Sequence, residues 1–122
     1  MLKAGLGALL ALTVLPSAAT AECRVMNVTF FLAQNDTPST TGISTRGSPC
    51  MVYFRSSSTS QFNSLSIASG ASHGVVSDLG AMRIRYKPNA GFKGVDRYAL
   101  RICGRALAGA GCSTITYNIT VQ

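Results

Sequence analysis

Residues 86–98 of this chain read YKPNAGFKGVDRY, and this stretch decides the fold. Pro88 has no backbone N–H, so it favours the end of a β-strand. Gly91 and Gly94 permit positive φ where the chain has to bend back. Asp96 can accept backbone N–H bonds in the turn, and a strand of alternating apolar and polar residues follows it. The stretch therefore predicts a strand, a turn and a second strand.

The C-terminal half continues this alternation, as in antiparallel sheets that bury one face. Three strands are predicted, whose inward positions are Met82, Ile84 and Tyr86, then Tyr98, Leu100 and Ile102, then Ile115, Tyr117, Ile119 and Val121.

The N-terminal half is less regular. Residues 24–33 and 50–55 predict strands, and 62–67 predict a strand whose shifted phase indicates a bulge. Residues 34–49 predict a long loop with one weak edge strand near Ile43. About seven short strands in roughly 100 residues are typical of an all-β fold, the Ig-like antiparallel β-sandwich.

The stretch at 86–98 also resembles the Y-x-P-x-x-G-F-x-G-x-D-x-F/Y signature of bacterial Ig-like domains of the cadherin-like tandem-repeat (VCBS-like) kind. The resemblance extends over 73–122, because HGVV at 73–76 and TITYNITV at 114–121 are similar to two further strands of that family. It implies a sandwich and no particular activity. Family members are mostly cysteine-poor repeats of large adhesins, whereas this chain is a single copy with four cysteines. The signature positions, to which we assign structural roles, are Tyr86, Pro88, Gly91, Phe92, Gly94, Asp96 and Tyr98.

The N-terminus has the pattern of a secretory signal peptide over residues 1–21. Lys3 precedes a short apolar run, and Ala19-Thr20-Ala21 matches an A-x-A cleavage site. A lipoprotein would need a small residue directly before Cys23, and Glu22 stands there. We expect cleavage after Ala21, which leaves a domain of residues 22–122 in the periplasm or outside the cell.

The mature part contains all four cysteines, which predicts two disulfides in an exported domain. Of the three possible pairings we favour Cys103 with Cys112, which leaves Cys23 with Cys50. Cys103 and Cys112 both fall on outward positions of strands that would form a hairpin. Zinc is disfavoured because no C-x-x-C pair is present and the chain has a single histidine.

After signal cleavage, ten basic residues stand against four acidic ones, a net charge of +6. Outward positions of two strands predict a possible anion-binding face made of Arg83, Arg85, Arg97 and Arg101. The alternative is a solvated outer surface, and the two strands can lie on opposite sheets. Nucleic acid is excluded as a partner, since the chain is exported and no aromatic residues interleave the charges.

The material for catalysis or metal binding is sparse. The family resemblance implies that Asp96 could be a calcium ligand, as in cadherin-like relatives. Ca²⁺ is coordinated by six to eight oxygens, however, and the mature chain has four acidic residues that are widely spread in sequence. We therefore predict a turn-capping role for Asp96, a structural role for His73, and no catalytic residue, metal or cofactor.

These observations predict a non-enzymatic binding or structural module of the bacterial cell envelope, not membrane-spanning, whose partner is an envelope protein or glycan. The alternative is an inhibitor of an envelope-directed hydrolase, which would insert the 34–49 loop or the loop between Cys103 and Cys112.

Overall fold

The computed structural model describes residues 20–122, so the predicted signal peptide, residues 1–21, lies almost entirely outside the described part. Within 20–122 the chain forms eight β-strands and one short 3-10 turn, Leu32–Gln34, and no α-helix. The strands are β1 Cys23–Val25, β2 Ser39–Ser44, β3 Cys50–Tyr53, β4 Ser60–Ser69, β5 Gly74–Gly80, β6 Arg83–Pro88, β7 Gly94–Ala106 and β8 Gly109–Val121.

The strands form two sheets, as the alternation predicts. The five-stranded sheet has the order β1-β2-β8-β7-β4, and the three-stranded sheet has the order β3-β6-β5. All pairs are antiparallel except β2 with β8, which run parallel. The architecture is the predicted Ig-like sandwich, with eight strands instead of about seven.

The core lies between the sheets and is filled by the inward positions of β6, β7 and β8. Three buried tyrosines, Tyr86, Tyr98 and Tyr117, stack on one another with ring centroids 5.4 and 4.9 Å apart and rings 16° and 9° from parallel. Tyr86 comes from the three-stranded sheet and the other two from the five-stranded sheet, so the stack joins the layers. Each aromatic pair adds about 1 kcal/mol beyond burial of its area.

Both predicted disulfides are present. Cys103 and Cys112 are directly opposed in the β7–β8 hairpin, with Cα atoms 4.0 Å apart. Cys23 and Cys50 join β1 to β3, with Cα atoms 5.1 Å apart, so this bond connects the two sheets. The predicted bulge in β4 is also confirmed, because the register shifts between Phe62 and Ser64.

Two predictions for the N-terminal half are wrong. The strand expected over 24–33 ends at Val25, because Phe30 turns into an aromatic cluster and Leu32 begins the 3-10 turn. The weak edge strand expected near Ile43 is a six-residue strand that lies inside its sheet, between β1 and β8.

Candidate functional site

The sandwich has two ends of different character. We call the end that holds the 86–98 turn and Asp96 the signature end. The opposite end, reached along the 13 residues of β7, holds Phe30, Phe54 and Phe62, and we call it the aromatic end. Phe62 is paired with Gly104, eight residues along β7 from Asp96, so at about 3.3 Å per residue the residues that define the two ends lie about 26 Å apart.

Asp96 organises the signature end. Its side chain is buried, 3% exposed, and faces the core from β7. Its carboxylate accepts hydrogen bonds from the backbone N–H groups of Ser72 and His73, each at 3.1 Å. The Tyr86 hydroxyl donates a third bond at 2.8 Å. The carboxylate therefore ties the loop before β5 to both sheets.

Asp96 accepts backbone N–H bonds, as predicted, but it does not cap the turn within 86–98. Two of the N–H groups belong to the 70–73 loop, which connects the two sheets, and the third is that of the adjacent Arg97, at 2.9 Å. The turn itself is closed by Phe92 N–H, which donates to the Asn89 carbonyl oxygen at 3.1 Å.

The structure places His73 in packing contact at this end. Its ring stacks on Phe92 with centroids 4.2 Å apart and planes 6° from parallel. Across residues 20–122 no group of three or more His, Cys, Asp or Glu side chains is placed to hold a metal ion. The carboxylate of Asp96 is surrounded by hydrogen-bond donors, whereas Ca²⁺ requires additional oxygen ligands.

The four arginines of the predicted anion-binding face are not brought together. Arg83 and Arg85 lie on β6 in the three-stranded sheet, while Arg97 and Arg101 lie on β7 in the five-stranded sheet. Because outward positions of the two sheets face opposite sides of a sandwich, these residues form two separate pairs.

Two of the four are also engaged within the protein. The Arg83 guanidinium donates to the Gly80 and Leu79 carbonyl oxygens at 3.2 and 3.4 Å. Arg97 Nε donates to Asn118 Oδ1 at 2.9 Å.

The aromatic end is built around Phe30, Phe54 and Phe62. Their ring centroids lie 5.8 to 6.2 Å apart, with Phe54 edge-on to the other two. Cavities of about 440 and 370 Å³ open on two sides of the cluster, and both are lined by Val28, Phe30 and Phe62. Apolar surface is therefore accessible to solvent between the ends of the two sheets.

Large apolar side chains also project from the protein surface around these cavities. Leu107, at the tip of the β7–β8 hairpin, is 84% exposed, and Met26 is 65% exposed. Phe31 and Tyr53 are 58% and 53% exposed. Aromatic residues and methionine are enriched in protein interfaces, and exposed apolar groups beside a cavity mark binding surfaces. This end is the candidate functional site.

Sequence reasoning did not find this site. Residues 28–32, VTFFL, have the alternation and the β-formers of a strand, so they predict a strand with at least one well-buried face. The useful signal is Leu107, a single large apolar residue between Ala106 and Ala108 at the tip of a hairpin, where polar or glycine residues are usual.

Burial changes the acid–base behaviour of the tyrosine stack between the two ends. It raises the pKa of all three phenols above the ordinary value of 10.0, and the Asp96 carboxylate raises that of Tyr86 further. The Tyr98 hydroxyl is buried and has no hydrogen-bond partner within residues 20–122. The stack is therefore neutral at physiological pH and contributes packing.

No family model matches the chain, and no curated protein matches it as a relative. The resemblance to cadherin-like repeats stays a prediction. Among the described residues no helix is long and apolar enough to cross a membrane.

Proposed function

We propose that this protein is an exported, non-enzymatic binding module of the bacterial cell envelope, of the Ig-like kind that its 86–98 turn resembles. Its aromatic end binds apolar side chains of another envelope protein. The observation that carries the proposal is the exposure of Phe31, which lines the 370 Å³ cavity, and of Leu107, whose neighbours Ala106 and Ala108 line it.

The disulfides and the placement of the acidic residues support this function. Two disulfides suit an oxidising compartment outside the cytoplasm. Each acidic side chain has a local partner: Glu22 pairs with Arg24, Asp36 and Asp78 accept backbone N–H bonds, and Asp96 is buried. Catalysis by general acid and base would require two titratable groups in one cleft.

Site-specific photo-crosslinking in the periplasm tests the proposal. A benzophenone amino acid replaces Leu107 in one protein and Val75 in a control. Val75 is likewise an exposed apolar residue, 60% exposed, but it lies on the three-stranded sheet. We expect a discrete protein adduct from position 107 and none from position 75. Phe31→Asp should remove the adduct and leave the melting temperature within about 2 °C, because an exposed side chain contributes little to stability. Equal adducts from both positions would refute a site at the aromatic end.

A hydrolase inhibitor is the second candidate, favoured by the hairpin tip. Leu107 stands five residues before Cys112, in a loop braced by the Cys103–Cys112 bond. The 34–49 segment is less suitable as an inserting loop, since Ser39–Ser44 is held in the sheet. If the crosslinked partner is an envelope hydrolase, the purified domain should slow it, and Leu107→Ser should restore its rate. An unaffected rate would leave the binding module without an inhibitory role.

A further inference from the structure

The free edge of β4 is the least protected edge of the sandwich. Residues 60–69 read SQFNSLSIAS and contain no charged residue and no proline, which are the usual means of blocking an edge. The other edges are better protected: β1 has three residues, β3 has four and is joined to β1 by a disulfide, and β5 carries Asp78.

Serine side chains already cover the first part of this edge. The backbone N–H of Phe62 donates to Ser56 Oγ at 3.0 Å, and that of Ser60 donates to Ser57 Oγ at 3.2 Å. Over residues 64–69 no hydrogen bond within 20–122 reaches the backbone apart from the ladder with β7. The unpaired N–H and C=O groups of 64–69 can therefore accept one more strand.

Positive charge lies beside this open part of the edge, on the outer face of the next strand. Arg101 is directly opposite Ser66 in the register. Arg105, opposite Gln61, flanks the open part on its serine-covered side. Within the described residues the single salt bridge is between Arg24 and Glu22, so neither arginine has a carboxylate partner.

Small side chains separate Arg101 from the edge. The outward positions of β4 in the open part are Ser64 and Ser66, which leave space above the sheet for the guanidinium to extend outward. A strand added to β4 would lie about 10 Å from β7, two strand spacings away. An arginine and a glutamate side chain can together span that gap.

We propose that the β4 edge binds an extended acidic segment of a partner protein as the sixth strand of the five-stranded sheet. Backbone hydrogen bonds to residues 64–69 supply the attachment. Carboxylates at alternate positions share one face of the added strand. One of them pairs with Arg101, and another reaches Arg105 where the segment continues past residue 64. This surface does not use Leu107 or Phe31, so it goes beyond the proposed function and can fail independently of it.

A synthetic peptide tests the edge directly. The probe is an acetylated and amidated octapeptide, Thr-Glu-Val-Glu-Thr-Glu-Val-Glu, titrated into ¹⁵N-labelled protein at about 0.15 M salt. We expect saturable amide shifts over residues 64–69 and slower hydrogen exchange of the amides that face outward. The same peptide with Gln for each Glu should bind about tenfold more weakly. A peptide N-methylated at alternate residues keeps its charge but loses one edge of backbone donors, and it should not bind.

Two arginine variants form the matched pair. Arg101→Gln should weaken peptide binding about three- to fivefold, the upper part of the range for one exposed ion pair. Arg97→Gln removes the same charge from the same strand face. Because the Arg97 guanidinium is hydrogen-bonded to Asn118, this variant should weaken binding less than twofold.

Four results of the peptide experiments would overturn the proposal, and a fifth result, obtained without peptide, would do the same. The four are equal effects of the two arginine variants, unchanged binding of the N-methylated peptide, shifts that map away from 64–69, and no binding at millimolar peptide. Concentration-dependent protection of the same amides without peptide would assign the edge to a second copy of this chain, and would also overturn it.

Discussion

The two ends of the sandwich differ in how the space between the sheets is closed. At the signature end the space between the sheets is closed by hydrogen bonds that converge on buried Asp96, from Ser72, His73 and Tyr86. At the aromatic end it is closed incompletely by three phenylalanine rings, and cavities remain on two sides.

Because of this difference, we expect the signature end to contribute mainly to stability and the aromatic end mainly to the proposed binding. A satisfied buried carboxylate is costly to disturb and offers no free group to a ligand. Exposed apolar side chains contribute little to folding but gain when a partner covers them. The most recognisable sequence motif therefore marks the part of the molecule that holds the fold, and the proposed binding surface lies at the other end.

The largest expected effect comes from the disulfides, one near each end. Replacing Cys23 and Cys50 together by Ala should lower the free energy of unfolding by about 3.6 kcal/mol, because the bond closes the longer loop. Replacing Cys103 and Cys112 by Ala should cost about 2.7 kcal/mol. Urea denaturation of both double variants measures the difference. A larger loss from the hairpin bond would show that the aromatic end is the more tightly constrained.

Two aspartates provide the next comparison. Asp96→Ala should lower the free energy of unfolding by about 3 kcal/mol, since it leaves the Tyr86 hydroxyl and two N–H groups without their acceptor. Asp36→Ala, at the aromatic end, removes an acceptor from the exposed Phe31 N–H and should cost about 1 kcal/mol. Equal losses in urea denaturation would contradict the distinction between the ends.

The smallest expected effect tests the tyrosine stack at alkaline pH. The folded-state pKa values are raised, so above pH 10 the unfolded state releases protons that the folded state retains, and stability falls as pH rises. Tyr98→Phe removes a hydroxyl that has no partner, so it should change stability at pH 7 by less than about 1 kcal/mol and reduce the alkaline loss. Tyr53→Phe, at an exposed position, is the control. Its melting temperature should match that of the unmodified protein at each pH between 8 and 11. A pH profile of Tyr98→Phe identical to that of the unmodified protein would exclude the stack as the cause.

Much of the fold could be predicted from the sequence wherever burial on one face imposes a period of two. That holds for β6, β7 and β8, and the phase of β7 and β8 also placed Cys103 opposite Cys112. The sequence showed that Asp96 could accept backbone N–H bonds. It could not show which N–H groups donate them, because the 70–73 loop is brought to Asp96 only by packing of the two sheets.

The N-terminal half was harder because its strands depend on tertiary contacts. β2 reads STTGIS, which resembles a loop. It is a strand because β8 pairs with it and because Gly42 lets β1 approach closely: a Cβ there would lie 2.9 Å from the Arg24 carbonyl oxygen. The aromatic end was missed for a related reason, since strand alternation in 28–32 looks the same whether Phe30 and Phe31 are buried by a sheet or left beside a cavity.

The hydrogen bonds of Thr45 and Arg46 have a consequence for attachment. Thr45 N–H donates to the Glu22 carbonyl oxygen at 2.9 Å, and Arg46 N–H donates to that of Gln122 at 3.1 Å. Residues 22 and 122 therefore leave the domain side by side, at the signature end. A linker, reporter or neighbouring domain joined at either position would sit behind the sandwich, and the aromatic end would point outward with its approach unobstructed.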